Sequence, residues 1–122
     1  MEKISENIEQ SEVSRLAAGF FLKGEVNSEG DIRIDGTVEG DIKSSGRIVV
    51  GEGASVKGRI FCSVLDFAGT LDGEVYVKDT LSIKKSADIK GNVFTGKIQV
   101  ELGASINGSF KMLTPEEYEK LL

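Results

Sequence analysis

Six times along the chain, an apolar residue stands two positions before a glycine and another stands two positions after it. The sets are Leu22-Gly24-Val26, Val38-Gly40-Ile42, Val56-Gly58-Ile60, Leu71-Gly73-Val75, Ile89-Gly91-Val93 and Ile106-Gly108-Phe110. Successive glycines lie 16, 18, 15, 18 and 17 residues apart. Seven or eight residues after each of the first five comes a second alternating pair: Ile32/Ile34, Ile48/Val50, Leu65/Phe67, Leu81/Ile83 and Ile98/Val100. A third element is a small residue two before the leading apolar position, as at Ala54, Ala87 and Ala104, with Gly36 and Gly69 in that place elsewhere. Short period-2 segments separated by Gly, Ser, Asp and Glu predict strands and corners. No interior stretch sustains a 3.6-residue period.

Three short strands in roughly 17 residues leave no room for ordinary hairpins, and each segment alone buries too little to fold. Stacked coil on coil at about 4.8 Å, they share one interior and each backbone pairs with the coil above and below. The predicted fold is therefore all-β: a single-stranded parallel β-helix of about six coils of 15–18 residues, a rod on the order of 30 Å long. The residue before each corner glycine supports this register. It runs Lys23, Glu39, Lys57, Asp72, Lys90, Asn107, so charges that the stack superimposes alternate in sign rather than repel. Each such exposed pair is worth only about 0.2–1 kcal/mol, which suits register control more than stability.

Composition narrows the function. Twenty acidic residues against 15 basic ones give a net charge of −5, the wrong sign for a nucleic-acid binder. The chain has no His, which removes the commonest general base and zinc ligand together. A hexapeptide-repeat acyltransferase or a related zinc enzyme, also β-solenoidal, needs His and a strict period of 18, and neither is present. No catalytic residue, cofactor, metal or small-molecule substrate is expected. The acidic pairs Glu29/Asp31 and Asp72/Glu74 alternate with apolar residues as a solvated strand face does. One cysteine, Cys62, excludes an intrachain disulfide, and its inward parity reads as a small core hydrophobe. The longest apolar run, Leu16 to Leu22, is too short to span a bilayer, and no secretory signal is evident; the expected location is the cytoplasm.

A coil stack ends in two sets of unpaired backbone groups, which solenoids usually cover with a cap. Here the first coil opens with Phe20-Phe21-Leu22 and the last closes with Phe110-Lys111-Met112. Both ends read as apolar and adhesive, so Phe20, Phe21, Leu22, Phe110 and Met112 are the expected polymer interface. The predicted organisation is a flexible tail over 1–19, a core over 20–112 and a tail over 113–122 holding a short helix.

The runs Gly30-Asp-Ile-Arg-Ile-Asp-Gly36-Thr-Val-Glu-Gly40-Asp-Ile42, Gly46-Arg-Ile-Val-Val-Gly51, Gly96-Lys-Ile98 and Gly103-Ala-Ser-Ile-Asn-Gly108 resemble the bactofilins over about residues 20–112. The resemblance implies a right-handed β-helix between flexible tails that assembles end to end, without nucleotide, into bacterial cytoskeletal filaments. It also implies a scaffold for cell-shape, cell-wall or appendage machinery, with client proteins as partners. The family's aromatic residue in the last coil, a contributor to the polymer contact, matches Phe110. Some members carry an apolar and basic segment at the N-terminus that targets them to the inner face of the membrane, but Met1-Glu-Lys-Ile-Ser-Glu does not match it well. Residues 20–54 carry seven acids and four bases, and residues 55–112 six acids and eight bases. That asymmetry favours head-to-tail stacking, whereas the family is associated with like-to-like contacts. Screening within about 8–10 Å leaves the decision to the apolar ends.

Three further features concern partners. Phe61, Tyr76 and Phe94 fall at one outward position of consecutive coils. They form either a stiffening cross-strand ladder or a docking stripe for a tail, a second filament or a client. Thr114-Pro-Glu-Glu117 has a helix-start signature, with Tyr118, Leu121 and Leu122 as one apolar edge. Ile4, Ile8, Val13 and Leu16 have near-helical spacing, but residues 1–19 carry four acids against two bases. This favours a partner-binding or disordered segment over a membrane helix. The competing functional reading is a monomeric adaptor that binds a partner through the aromatic stripe or the tails.

Overall fold

Glycine stacks on glycine along the whole rod. The computed structural model describes residues 7–8 and 14–121. Its elements are β1 (Asn7–Ile8), β2 (Ser14–Leu16), β3 (Phe21–Ser28), β4 (Ile32–Ile34), β5 (Thr37–Ser44), β6 (Arg47–Val50), β7 (Ser55–Phe67), β8 (Thr70–Ile83), β9 (Asp88–Val100), β10 (Ser105–Met112) and the helix α1 (Pro115–Leu121). Every pairing among these strands is parallel, and they make a β-solenoid of about six turns. Gly24, Gly40, Gly58, Gly73, Gly91 and Gly108 are successive register partners, as the spacing predicts.

The same register aligns five inward columns. They run Leu22 to Ile106, Val26 to Phe110, Ser28 to Met112, Ile32 to Ile98 and Ile34 to Val100, one residue per coil. These columns supply most of one continuous buried core. Cys62 is among the fully buried residues, and burial pushes its thiol pKa up, so it packs as a small hydrophobe. The polar members Ser28 and Ser44 are satisfied at the adjoining corner, where both hydroxyls donate to the Gly30 carbonyl.

The corner glycines bend the strand without breaking its ladder, so two of the three predicted strand segments merge into one strand in β3, β5 and β10, and all three do in β7, β8 and β9. The bend needs a positive φ, 136° at Gly24 and 159° at Gly108, which L side chains rarely adopt. Close approach adds a second requirement: a Cβ on Gly58 or Gly91 would collide with the carbonyl oxygen of the glycine one coil earlier. The irregular coil length has a simple cause. One corner, as in Ile34 to Val38 or Val50 to Val56, advances four residues or six; the other, as in Ser28 to Ile32 or Cys62 to Leu65, advances three or four. The six-residue corners hold a turn, at Glu52-Gly53, Lys85-Ser86 and Leu102-Gly103. Core positions stay aligned because the corners absorb the variation.

The alternating charge column is in register, Lys23 to Glu39 to Lys57 to Asp72 to Lys90 to Asn107. None of the ion pairs among the described residues falls in it; they include Arg59–Asp41 at 2.7 Å and Arg47–Asp66 at 3.6 Å. The column therefore acts by avoiding repulsion rather than by forming bridges.

The stack begins earlier than the expected boundary at Phe20. β2 pairs with β4 and seats Leu16 on Ile34, and β1 pairs with β3 at Asn27 and Ser28. Leu16 is buried in the core, so its near-helical spacing with Ile8 reflects a partial coil and not a helix. Ile4 and Val13 lie outside the described residues.

Candidate assembly surfaces

The C-terminal end of the rod is an open apolar face. β10 pairs with β9 alone, and Lys97 to Val100 pair with β8 alone, so among the described residues their outer backbone edge has no strand partner. All five inward columns finish here in apolar side chains. Ile98 and Ile106 are half-buried, while Val100, Phe110 and Met112 are 46%, 43% and 59% exposed. These residues point inward in every coil below; they are exposed because no further coil covers them. Leu102, in the turn beside them, is 97% exposed. Phe110 and Met112 both lie on this exposed end face.

At the N-terminal end the predicted trio divides. Phe21 is 42% exposed, but Leu22 is a core residue at 2%, and Phe20 packs half-buried against the core while its carbonyl accepts the Thr37 amide at 2.8 Å. Val26 and Leu16 are buried as well. One inward column finishes at Ser14, whose buried Oγ has no hydrogen-bond partner among the described groups, and Ser28 is followed one layer further out by Ile8 of β1. Phe21 to Val26 have no strand partner on their outer edge among the described residues. The two ends therefore differ: one is an apolar ring, the other is more closed and carries polar atoms.

The side of the rod carries a third surface. Phe61, Tyr76 and Phe94 stack with centroids 4.7 and 4.8 Å apart and planes within 5° and 3° of parallel. Parallel register at the coil spacing enforces this face-to-face geometry, which free aromatic pairs avoid in favour of offset or edge-on contacts. Lys43 Nζ and Arg59 Cζ lie 5.3 and 5.7 Å from the Phe61 centroid, favourable cation–π positions. Asp41 holds Arg59 by two hydrogen bonds and raises its pKa further.

Against this ladder lies the C-terminal tail. Thr114 Oγ1 accepts the Glu117 amide at 3.1 Å and Glu117 accepts the Thr114 amide at 2.9 Å, a capping box. The hydrogen bonds from Thr114 hold the Glu117 carboxyl below its ordinary pKa. Leu113 precedes the cap and Tyr118 follows four residues after it, the spacing of a hydrophobic staple. Both are buried in one cluster with Phe61, against which Tyr76 and Phe94 pack. Lys78 Nζ meets Glu119 Oε2 at 2.7 Å. The tail folds along the rod, and among the described residues nothing covers the C-terminal ring. Of the expected apolar edge, Tyr118 is the buried member, Leu121 is exposed, and Leu122 lies outside the described residues. The acidic pairs serve local partners: Asp31 accepts the Arg47 amide and Glu74 accepts the Tyr76 hydroxyl.

A family model described as bactofilin, polymer-forming cytoskeletal, matches residues 14–111. The chain is a bactofilin. In this bactofilin the match begins at the first residue of β2 and ends within β10. The family is a structural, cytoskeletal one. No curated protein and no solved structure matches the chain with significance. Among the described residues no helix is long and apolar enough to cross a membrane.

Leu102 is the exposed apolar residue at this end that the repeat pattern passes over, because it lies in a corner and not in a strand. A signal was present: Glu52 and Lys85 stand at the equivalent turn positions, two before Ala54 and Ala87, and only the last coil puts a leucine there.

Proposed function

We propose that this bactofilin self-assembles end to end through its C-terminal coil into filaments, without nucleotide, and that the filaments scaffold cell-shape or envelope-associated proteins in the cytoplasm. The observation that carries the reading is the uncovered ring of Val100, Leu102, Phe110 and Met112 beside an unpaired strand edge. An exposed apolar patch joined to open backbone groups is a template for another subunit. Like ends are expected to meet, because the open apolar ring and the more closed N-terminal end are poorly matched. The expected interface is Phe110 and Met112 at one end and Phe21, with Phe20 and Leu22 behind it, at the other.

The test is sizing and negative-stain microscopy of the purified protein across concentrations, with Phe110→Arg alongside. Filaments are expected for the natural chain. The variant should give short, soluble species with the core still folded, since the charge is buried only at the end contact. A single 13.1 kDa species at every concentration refutes the filament reading and leaves the monomeric adaptor. Unchanged filaments of the variant refute the C-terminal joint.

A further inference from the structure

The aromatic column and its occupant are chemically complementary in a way that reaches past this chain. The floor is Phe61, Tyr76 and Phe94, and bases outnumber acids around it: Lys43 and Arg59 stand over Phe61, Arg59 bridged by Asp41, Lys78 lies beside the tail, Lys111 is the register partner of Phe94, and Glu29 is the rod's acid in the adjoining cavity lining. The occupant is acidic, with Glu116, Glu117 and Glu119 against Lys120, and it inserts one aliphatic and one aromatic anchor, Leu113 and Tyr118.

The occupant does not fill its groove. Next to Tyr118 a cavity of about 530 Å³ continues along the same face toward the first coils, lined by Asn27, Lys43, Ser44, Phe61, Tyr118 and Glu119. Asn27, Lys43 and Phe61 are successive members of one outward column, so the groove is the aromatic column prolonged beyond the tail. The tail's hold is slight. α1 has seven residues, too few for stability by itself, and it is fixed by two anchors and an ion pair whose side chains are solvent-exposed. A segment held this way exchanges between docked and free states far below the free energy of global unfolding.

We propose that this groove is a docking site for acidic segments of partner proteins that place an aliphatic and an aromatic residue across a capped helix start, and that residues 113–121 occupy it as a displaceable competitor. The partner gains what the tail does not take, the polar, lysine-bearing extension of the groove. The site lies on the side of the rod and is independent of the ends, so it fails or stands separately from filament formation.

The experiment uses the full chain with the groove vacated by Tyr118→Ser and a labelled peptide of sequence Leu-Thr-Pro-Glu-Glu-Tyr-Glu-Lys-Leu as probe. Fluorescence anisotropy should show saturable binding to the variant at least tenfold tighter than to the natural chain. Adding Lys78→Glu, which cannot disturb the core, should weaken binding by about threefold to tenfold. A peptide carrying Glu119→Lys should recover the loss, and salt should weaken the natural pair. Two results overturn the proposal. One is absence of saturable binding, or binding that Phe61→Ser in the same folded chain leaves unchanged. The other is capture of wild-type chains through their tails as tightly as the peptide, which makes the occupant a second copy.

Discussion

Leu102→Glu separates assembly from folding. In the subunit this leucine is 97% exposed, at a turn position where Glu52 and Lys85 serve the earlier coils. The substitution therefore costs the fold within about 0.5 kcal/mol, or a few degrees in Tm. In a joint that covers the C-terminal ring the account differs. Burying a leucine side chain contributes about 1.5–3 kcal/mol, and an unpaired carboxylate in its place costs about 3–5 kcal/mol when fully buried. Leu102 stands at the edge of the ring, where water reaches some of the joint, so about 2 kcal/mol per copy is the reasonable loss; a like-to-like joint holds two copies and loses about 4 kcal/mol, near a thousandfold in association constant. The assay is sedimentation of the assembled fraction against total concentration, with microscopy of the pellet and a melting curve on the dispersed protein. The concentration at which polymer appears should rise by two to three orders of magnitude, with the dispersed melt nearly unmoved. Equal thresholds for the two proteins refute the assignment of this ring to the joint.

Other expectations follow from the interior and the tail. Gly91→Ala sets a Cβ against the Gly73 carbonyl at a φ of 138°, and neither backbone can yield. It should lose about 3 kcal/mol or more in chemical denaturation, whereas Gly53→Ala, with open space around it, should stay within about 0.5 kcal/mol. Cys62 should resist thiol reagents in the folded protein and react at the rate of opening, since it is buried with a raised pKa; fast labelling without denaturant contradicts the core packing. Burial pushes Tyr118 up to about 12. Its docked state is thus fully favoured below the ordinary tyrosine pKa near 10 and is lost as pH rises toward 12. Phenolate absorbance at high pH should lose about half its amplitude in Tyr118→Phe, the remainder coming from Tyr76, whose pKa burial and the hydrogen bond to Glu74 also raise.

The repeat was readable because it is written in parity. Most inward columns hold apolar residues at a near-constant offset from a glycine, so Leu22, Val38, Val56, Leu71 and Ile89 declare themselves together. The same rule predicts the Phe61-Tyr76-Phe94 column. What escaped has no repeated mark. The partial first coil lacks the glycine set and puts Ser14 at an inward position, so nothing in its local sequence announces a strand. The capping box at Thr114 and Glu117 is local and legible; that its helix lies on the aromatic column is a long-range contact, and no periodicity encodes it. Leu22 shows the converse limit: its place in the first coil suggests an exposed end, but its burial depends on what else packs there.

The tail also bears on mechanics. Each coil bonds only to its neighbours, so a pull along the filament crosses every layer in series and the weakest layer yields first. Within the subunit, a chain segment rooted at Met112 in the last coil and seated on Phe61 in β7 runs alongside several of those layers. While docked it ties the C-terminal coils to one another, and because its hold is slight it lets go first. Under load its release should therefore precede any unwinding of the coils beside the proposed joint, so the stretched filament bares the aromatic column before the rod itself gives way.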